Sequence, residues 1–260
     1  MPNRPNMTDI AYLYDGSFEG LLCCVYASYY QRELPTMIFG YEQAQGTLFP
    51  VKEIATDSAA AKKVEDSIVR KISREALGLT RLCYLSQMES REMAILSFLR
   101  LGYKVGAPVT NMLAHDDVCA VTKGAKNVQR EGMFFREFLR FSDYDGALVA
   151  TIGPKNFVLP LVAPHFCDRF PSERFMIYDK SHGCAFVYQD GEKSLTALES
   201  LELPRAGEQE EHYRALWKRF YNTIAIEGRL NPKLRMGNMQ KRYWAQMTEF
   251  IDNGQLTVDN

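Results

Sequence analysis

FREFLRFSDYDGALVATI, residues 135 to 152, is where the periodicity of the chain changes. Before it, Val118, Val121, Ala125 and Val128 recur at helical spacing, which predicts a helix from Asp116 to about Glu131. From it onward come FREFLRFS, GALVATI, RFMIYD and CAFVYQ, runs rich in aromatic and β-branched residues and separated by Asp-Gly, Gly-Pro and His-Gly turn signals. Helical spacing returns after them. The expected fold is therefore α+β: a small, mainly antiparallel sheet of about residues 135–190, flanked by N-terminal and C-terminal helices. A strand at FREFLRFS would place Arg136, Phe138 and Arg140 on one side.

The flanking sequence fills in the helices. AYLYDGS reads as a short strand and turn, followed by Leu21, Leu22, Val25, Tyr26 and Tyr29 at helical spacing. Asp57 can cap a helix with the stripe Val64, Ile68, Ile72 and Ala76, stopped by Gly78, and another helix is expected from Ser90 to Leu101, ending at Gly102. Pro160 and Pro164 allow only a short or kinked helix in NFVLPLVAPHFCDRF. The polar stretch GEKSLTALESLELPRAGEQEE then leads to a helix from about Glu210, on which Tyr213, Trp217, Phe220, Tyr221 and Ile224 form a stripe expected to be core.

With 260 residues, 46% apolar and 24% charged, the chain can bury a sizeable core. It is expected to form one α+β domain, or two closely packed lobes of about 1–110 and 111–260. No apolar run approaches the ~20 residues that span a bilayer, and MPNRPNMTDI is polar where a signal peptide is apolar. A soluble, cytoplasmic protein is the expectation. Cys23, Cys24, Cys83, Cys119, Cys167 and Cys184 show no ligand spacing and read as reduced, mostly buried thiols. The chain has no G-x-G-x-x-G after a strand, no P-loop and no G-x-S-x-G, so no cofactor of its own is expected.

Charge is unevenly spread. Between Tyr213 and Gln246 stand Arg214, Lys218, Arg219, Arg229, Lys233, Arg235, Lys241 and Arg242 against Glu227 alone, a local +7 in a chain of net charge -1. A helix beginning near Met239 or Gln240 would put Lys241 and Arg242 in its first turn, where cations are favourable only if an anion joins them. Tyr243 follows as a ring on which bases could stack, whereas Met247 and Ile251, at i+3 and i+7 from Trp244, point to that ring packing inward. A second basic face comes from Lys123, Lys126 and Arg130, at i, i+3 and i+7, with Arg136 and Arg140 among phenylalanines just beyond. Cations interleaved with rings are the chemistry of nucleic-acid binding, and solvated surface charge is the plain alternative.

At these residues the chain resembles a known family. LYDGSFEGLL, the KxxxRE and FLRF strings, VLPLVAPHFxxRFP followed by IYD, and LWxxFYxxIAIxxRxNPKLR followed by RYW are similar to an uncharacterised bacterial family described as DNA-metabolism proteins. The family pattern has a proline before xRYW and a His and a Gly in the central run, where this sequence has Gln240, Met133 and Glu137. The resemblance implies a radical-SAM companion described as a DNA modification or repair protein, and related domains fused to a uracil-DNA-glycosylase-like module. It implies no catalytic residue.

Acid/base chemistry has its own candidates. His165 and Asp168 lie three residues apart, as do Asp179 and His182. If His165, Asp179 and His182 met in a cleft they could move protons or hold a divalent metal, whereas a capping His and a His-Gly hairpin turn are the structural readings. Three functions follow: a DNA-binding accessory protein that presents DNA to a partner enzyme, a hydrolase of nuclease or glycosylase type, and a protein-binding scaffold with a basic docking surface.

Overall fold

The computed structural model describes residues 7–41, 47–203, 207–224, 228, 231–252 and 255–256. The chain divides into two compact units, Met1–Val128 and Gln129–Asn260.

The first unit holds a parallel sheet in the order β2-β1-β3, from β1 (Met7–Tyr14), β2 (Leu34–Gly40) and β3 (Val51–Glu53). The strand expected at AYLYDGS is β1, whereas β2, β3 and the sheet they make with it are not part of the expected fold. Helix α1 (Phe18–Tyr30) joins β1 to β2 and starts at Ser17, whose side chain accepts from the Gly20 amide. A Cβ on Gly20 would lie 2.2 Å from Asp15 Oδ1 and 2.8 Å from Thr56 Oγ1, so only glycine lets the helix approach the strand end this closely.

Asp57 caps α2 (Ser58–Lys71) as expected, accepting from the amides of Ala59 and Ala60. The helix does not continue to Gly78. It breaks at Ile72, and Ser73 caps α3 (Arg74–Tyr84) by accepting from Ala76 N, so that a hydroxyl able to satisfy free amides restarts the helix within one apolar stripe. Helix α4 (Arg91–Val105) runs past Gly102 and stops at Gly106, whose φ is +74°. Leu21, Leu22, Val25, Val64, Ile68, Ile95, Leu96, Phe98 and Leu99 are buried in the core of this unit.

Helix α5 (Asp116–Phe138) passes from the first unit into the second. It is longer than expected, because the buried stripe of Val118, Val121, Ala125 and Val128 continues through Gly132, Phe135 and Leu139. FREF is thus helix and not strand, and Arg136, Phe138 and Arg140 do not share one side of a sheet.

In the second unit β4 (Ser142–Tyr144), β5 (Ala147–Ile152), β6 (Arg174–Asp179), β7 (Cys184–Gln189) and β8 (Glu192–Ala197) form one sheet in that order. Only the β5–β6 pairing is parallel, and α6 (Leu159–Arg169), with Pro164 inside it, makes that crossover. Asp145-Gly146 and Asp190-Gly191 close the β4–β5 and β7–β8 hairpins with positive φ at both residues, the turn that matches strand twist. Strand β8 lies in the stretch read as a polar connection, and all six of its residues are exposed at the sheet edge. The fold is α+β.

Helix α7 (Glu208–Ile224), short α8 (Pro232–Asn238), a 3-10 helix of Lys241–Gln246 and the paired strands β9 (Ile251–Asp252) and β10 (Gln255–Leu256) follow. No helix among the described residues is long and apolar enough to cross a membrane. All six cysteines are free, four of them buried.

Candidate nucleic-acid interface

The C-terminal cations rest on a cluster of buried rings. Trp244, Met247 and Phe250 are buried together with Phe138, Tyr221, Met236 and Met239 packed on them. Trp244 stacks on Phe250 at 4.6 Å between centroids, and its indole donates to Met239 O at 3.0 Å. Tyr243, 2% exposed, is enclosed by Phe134, Phe135 and Phe138, and burial pushes its phenol up to about 12. Neither ring can stack a base from solvent, which corrects the expectation for Tyr243.

What these rings carry is charge. The Arg235 guanidinium lies 5.3 Å from the Trp244 centroid and 5.5 Å from that of Phe250, and Lys241 Nζ lies 5.7 Å from Trp244. Arg242 sits 4.6 Å over Tyr243 and donates to its hydroxyl. Cations within about 6 Å of a ring face are attracted by its quadrupole. The co-occurrence of cations and aromatics in NPKLRMGNMQKRYW therefore has an internal cause.

Two cations are also engaged by carboxylates. Arg242 Nη1 is 3.1 Å from Glu131 Oε1, and buried Glu131 further accepts from the amides of Lys155 (3.0 Å) and Asn156 (2.8 Å) and from Asn156 Nδ2 (2.6 Å). Arg140 pairs with Glu249 at 2.9 Å and lies 5.5 Å over the Trp217 ring, while the indole of Trp217 donates to Glu249 Oε2 at 3.0 Å. In the sequence Glu131 marks only the expected end of a helix. Its position three residues after Val128, on the buried stripe of a basic helix, is the signal of an acid that needs partners.

The remaining sites divide by exposure. Lys233, Lys241 and Arg136 are exposed and make no ion pair among the described residues, and exposed Arg130 stands 5.6 Å over Phe134. Lys123 and Lys126 are exposed on the first-unit part of α5. Arg229 lies outside the described residues. The helix that begins at Lys241 is a six-residue 3-10 turn. It has no sizeable dipole, so the expected anion site at a helix start is not built.

Helix α7 is turned from its expected orientation. Of the stripe expected to be core, Tyr213, Phe220 and Ile224 are 52–58% exposed and Trp217 is 39% exposed, so these four face outward and Tyr221 alone does not. The less exposed face is Glu210, Arg214, Lys218 and Tyr221. Arg214 donates to Ser142 Oγ (2.6 Å) and Glu210 Oε1 (2.7 Å), Glu210 accepts from Asp143 N, and Tyr221 packs against Phe250. Polar tethers to β4 decide the orientation here, and an apolar period cannot report them.

The acid/base candidates lie on two elements, α6 and the end of β6. Asp179, fully buried at the end of β6, holds His182 Nδ1 at 2.7 Å and accepts from the amides of Ser181 and His182 with its other oxygen. His165 is on α6 against Phe166, and Asp168 is exposed on the same helix. No group of three or more His, Cys, Asp or Glu among the described residues could hold a metal ion, so His165, Asp179 and His182 form no such metal-holding group.

The fold and this surface define an α+β protein whose C-terminal unit mounts cations on buried rings. The chain matches the model of DUF4130, a domain of unknown function, over residues 89–249, and it belongs to that family. The match takes in every candidate cation from Lys123 to Arg242. No curated protein and no solved structure matches the chain.

Proposed function

We propose that the protein is a DNA-binding accessory protein of DNA repair or modification, one that presents DNA to a partner enzyme. The radical-SAM partner rests on the family resemblance alone. The observation that carries the reading is the row of cations held over Trp244, Phe250 and Tyr243, among which Lys241, with Lys233 beside them in sequence, is exposed and unpaired with any acid among the described residues. Cations fixed in place lose little freedom when phosphates replace water around them. Because the rings are buried, the contacts are to the backbone, which gives affinity without sequence preference.

Fluorescence anisotropy with labelled single- and double-stranded DNA at several salt concentrations tests this. Lys233→Gln with Lys241→Gln should weaken binding alike for all sequences and lower the log K against log salt slope by about two units. A parent protein that binds neither DNA would overturn the proposal, and the protein-docking scaffold would take its place.

A second reading has one observation in its favour. A buried carboxylate holding a histidine ring at 2.7 Å, as Asp179 holds His182, is an arrangement that acid/base catalysts use. A hydrolase acting on DNA would then cleave a strand or release a base, and His182→Gln would abolish that activity while leaving DNA binding intact. Absence of product from the parent protein would end this reading.

A further inference from the structure

A pocket of about 420 Å³ opens in the first unit between α1, α2 and α4, lined by the rings of Tyr26, Tyr29 and Tyr103 and by Lys63, Arg70 and Lys71. Its volume is in the range of small-molecule sites. It shares no residue with the C-terminal surface, and its α1 and α2 residues precede the stretch that matches the family.

Its composition is specific. Tyr26 and Tyr29 are 40% and 41% exposed, large rings left open where α1 otherwise buries Leu21, Leu22 and Val25. Tyr29 is held rigidly: Tyr103 meets it edge-on at 5.3 Å and the Arg100 guanidinium covers it at 5.0 Å. Tyr26 stacks on Tyr30 at 5.9 Å with planes 9° apart, so an aromatic pair stands at the mouth.

Helix α2 sorts its charges around this opening. Glu65 and Asp66 pair with Lys62 and Arg81, whereas Lys63, Arg70 and Lys71 line the pocket without an ion pair among the described residues. Lys63, Ser67, Arg70 and Lys71 fall at i, i+4, i+7 and i+8, one helix face. Arg70 and Lys71 in the last turn suit the helix dipole, but the dipole explains neither Lys63 nor the open rings. The pocket lining contains no acid.

We propose that this pocket binds a nucleotide, with its base against the Tyr26 and Tyr29 rings and its phosphate at Lys63, Arg70 and Lys71. Rings offer stacking to any base, and the three cations supply the charge that a phosphate requires. The nucleotide is either free or one residue of a single strand.

Titration calorimetry on the full chain separates these sources, using a nucleoside monophosphate, the matching nucleoside, inorganic phosphate and a short oligothymidylate. The monophosphate should bind at least tenfold more tightly than nucleoside or phosphate alone. Tyr26→Leu should weaken it roughly tenfold, about what loss of one stacked base does, and Arg70→Gln should weaken it and reduce its salt dependence. Both side chains are exposed, and an unchanged melting transition verifies each fold. If the oligothymidylate binds more tightly than the monophosphate and the pocket variants lose it, the source is a strand; if only the monophosphate binds, the source is free nucleotide. Using a Lys233→Gln, Lys241→Gln background keeps the C-terminal surface from contributing to strand binding. Phosphate binding as tightly as the monophosphate, no ligand binding at all, or affinity unchanged in both variants would overturn the proposal.

Discussion

Arg242 closes over Glu131, its Nη1 3.1 Å from the carboxylate, and this pair ties the start of the 3-10 helix to α5 and to the amides of Lys155 and Asn156. A cation that reads from sequence as a free phosphate ligand is thus part of the packing of the second unit. Removing it leaves a buried carboxylate short of one donor.

Charge reversal separates Arg242 from its neighbour. Arg242→Glu would set two carboxylates against each other beside Tyr243, and is expected to destabilise by about 1–3 kcal/mol. Lys241→Glu touches only the Trp244 face and should stay within about 0.5–1 kcal/mol of the parent. Urea unfolding of the two single variants is the check. Equal midpoints would mean that the Glu131 contact contributes nothing.

The two tryptophans should behave unlike each other. Trp244 is 2% exposed in a cluster with Met247 and Phe250, so Trp244→Ala leaves a cavity and should cost about 3–5 kcal/mol. Trp217 is 39% exposed and contributes its hydrogen bond to Glu249 and its ring beneath Arg140. Trp217→Ala should cost about 1–2 kcal/mol. Fluorescence quenching by iodide gives an independent reading, because in single-tryptophan variants Trp217 should be quenched and Trp244 protected.

These contrasts show which parts of the fold were legible. The stripe Val118 to Val128 and the Asp-Gly hairpins state their structure locally, one by period and the other by the φ values that the residues tolerate. The parallel strand LPTMIFG does not. It carries Pro35 and pairs with residues about 26 positions away, at Thr8↔Pro35 and Tyr12↔Ile38, so its role comes from a distant partner. Likewise, a period says that α7 has an apolar face, but it is Arg214 reaching Ser142 that turns another face inward. In the candidate site the residue types were readable, whereas which cations were already engaged depended on Glu131 and Glu249, acids far from them in sequence.

Gly20 should not tolerate a side chain. An added methyl would lie 2.2 Å from Asp15 Oδ1, and Asp15 cannot move aside without losing its bonds from Ser17 and Thr56. Gly20→Ala is expected to cost about 1–3 kcal/mol, although alanine is the better helix former. A thermal melt that matched or exceeded the parent's would show that the β1–α1 junction yields without cost.

Asp15 also gives a pH prediction. Burial by itself would raise its pKa, but the Ser17 hydroxyl (2.7 Å) and amide (2.9 Å) and the Thr56 hydroxyl (2.7 Å) all donate to the carboxylate, and the net shift is downward. A depressed folded-state pKa means that the charged form is favoured by folding. The stability it contributes is present above the ordinary carboxylate range and is lost as pH falls through the folded value. Glu33, lowered through Lys52 and Tyr12 against the effect of burial, adds to the same loss. Unfolding midpoints of the parent should therefore fall between neutral pH and the acid range, and Asp15→Asn should lower the neutral midpoint and flatten that fall. A variant that keeps the parent's full slope would mean that Asp15 titrates alike in the folded and unfolded chains, and that the hydrogen bonds at the end of β1 do not hold its charge.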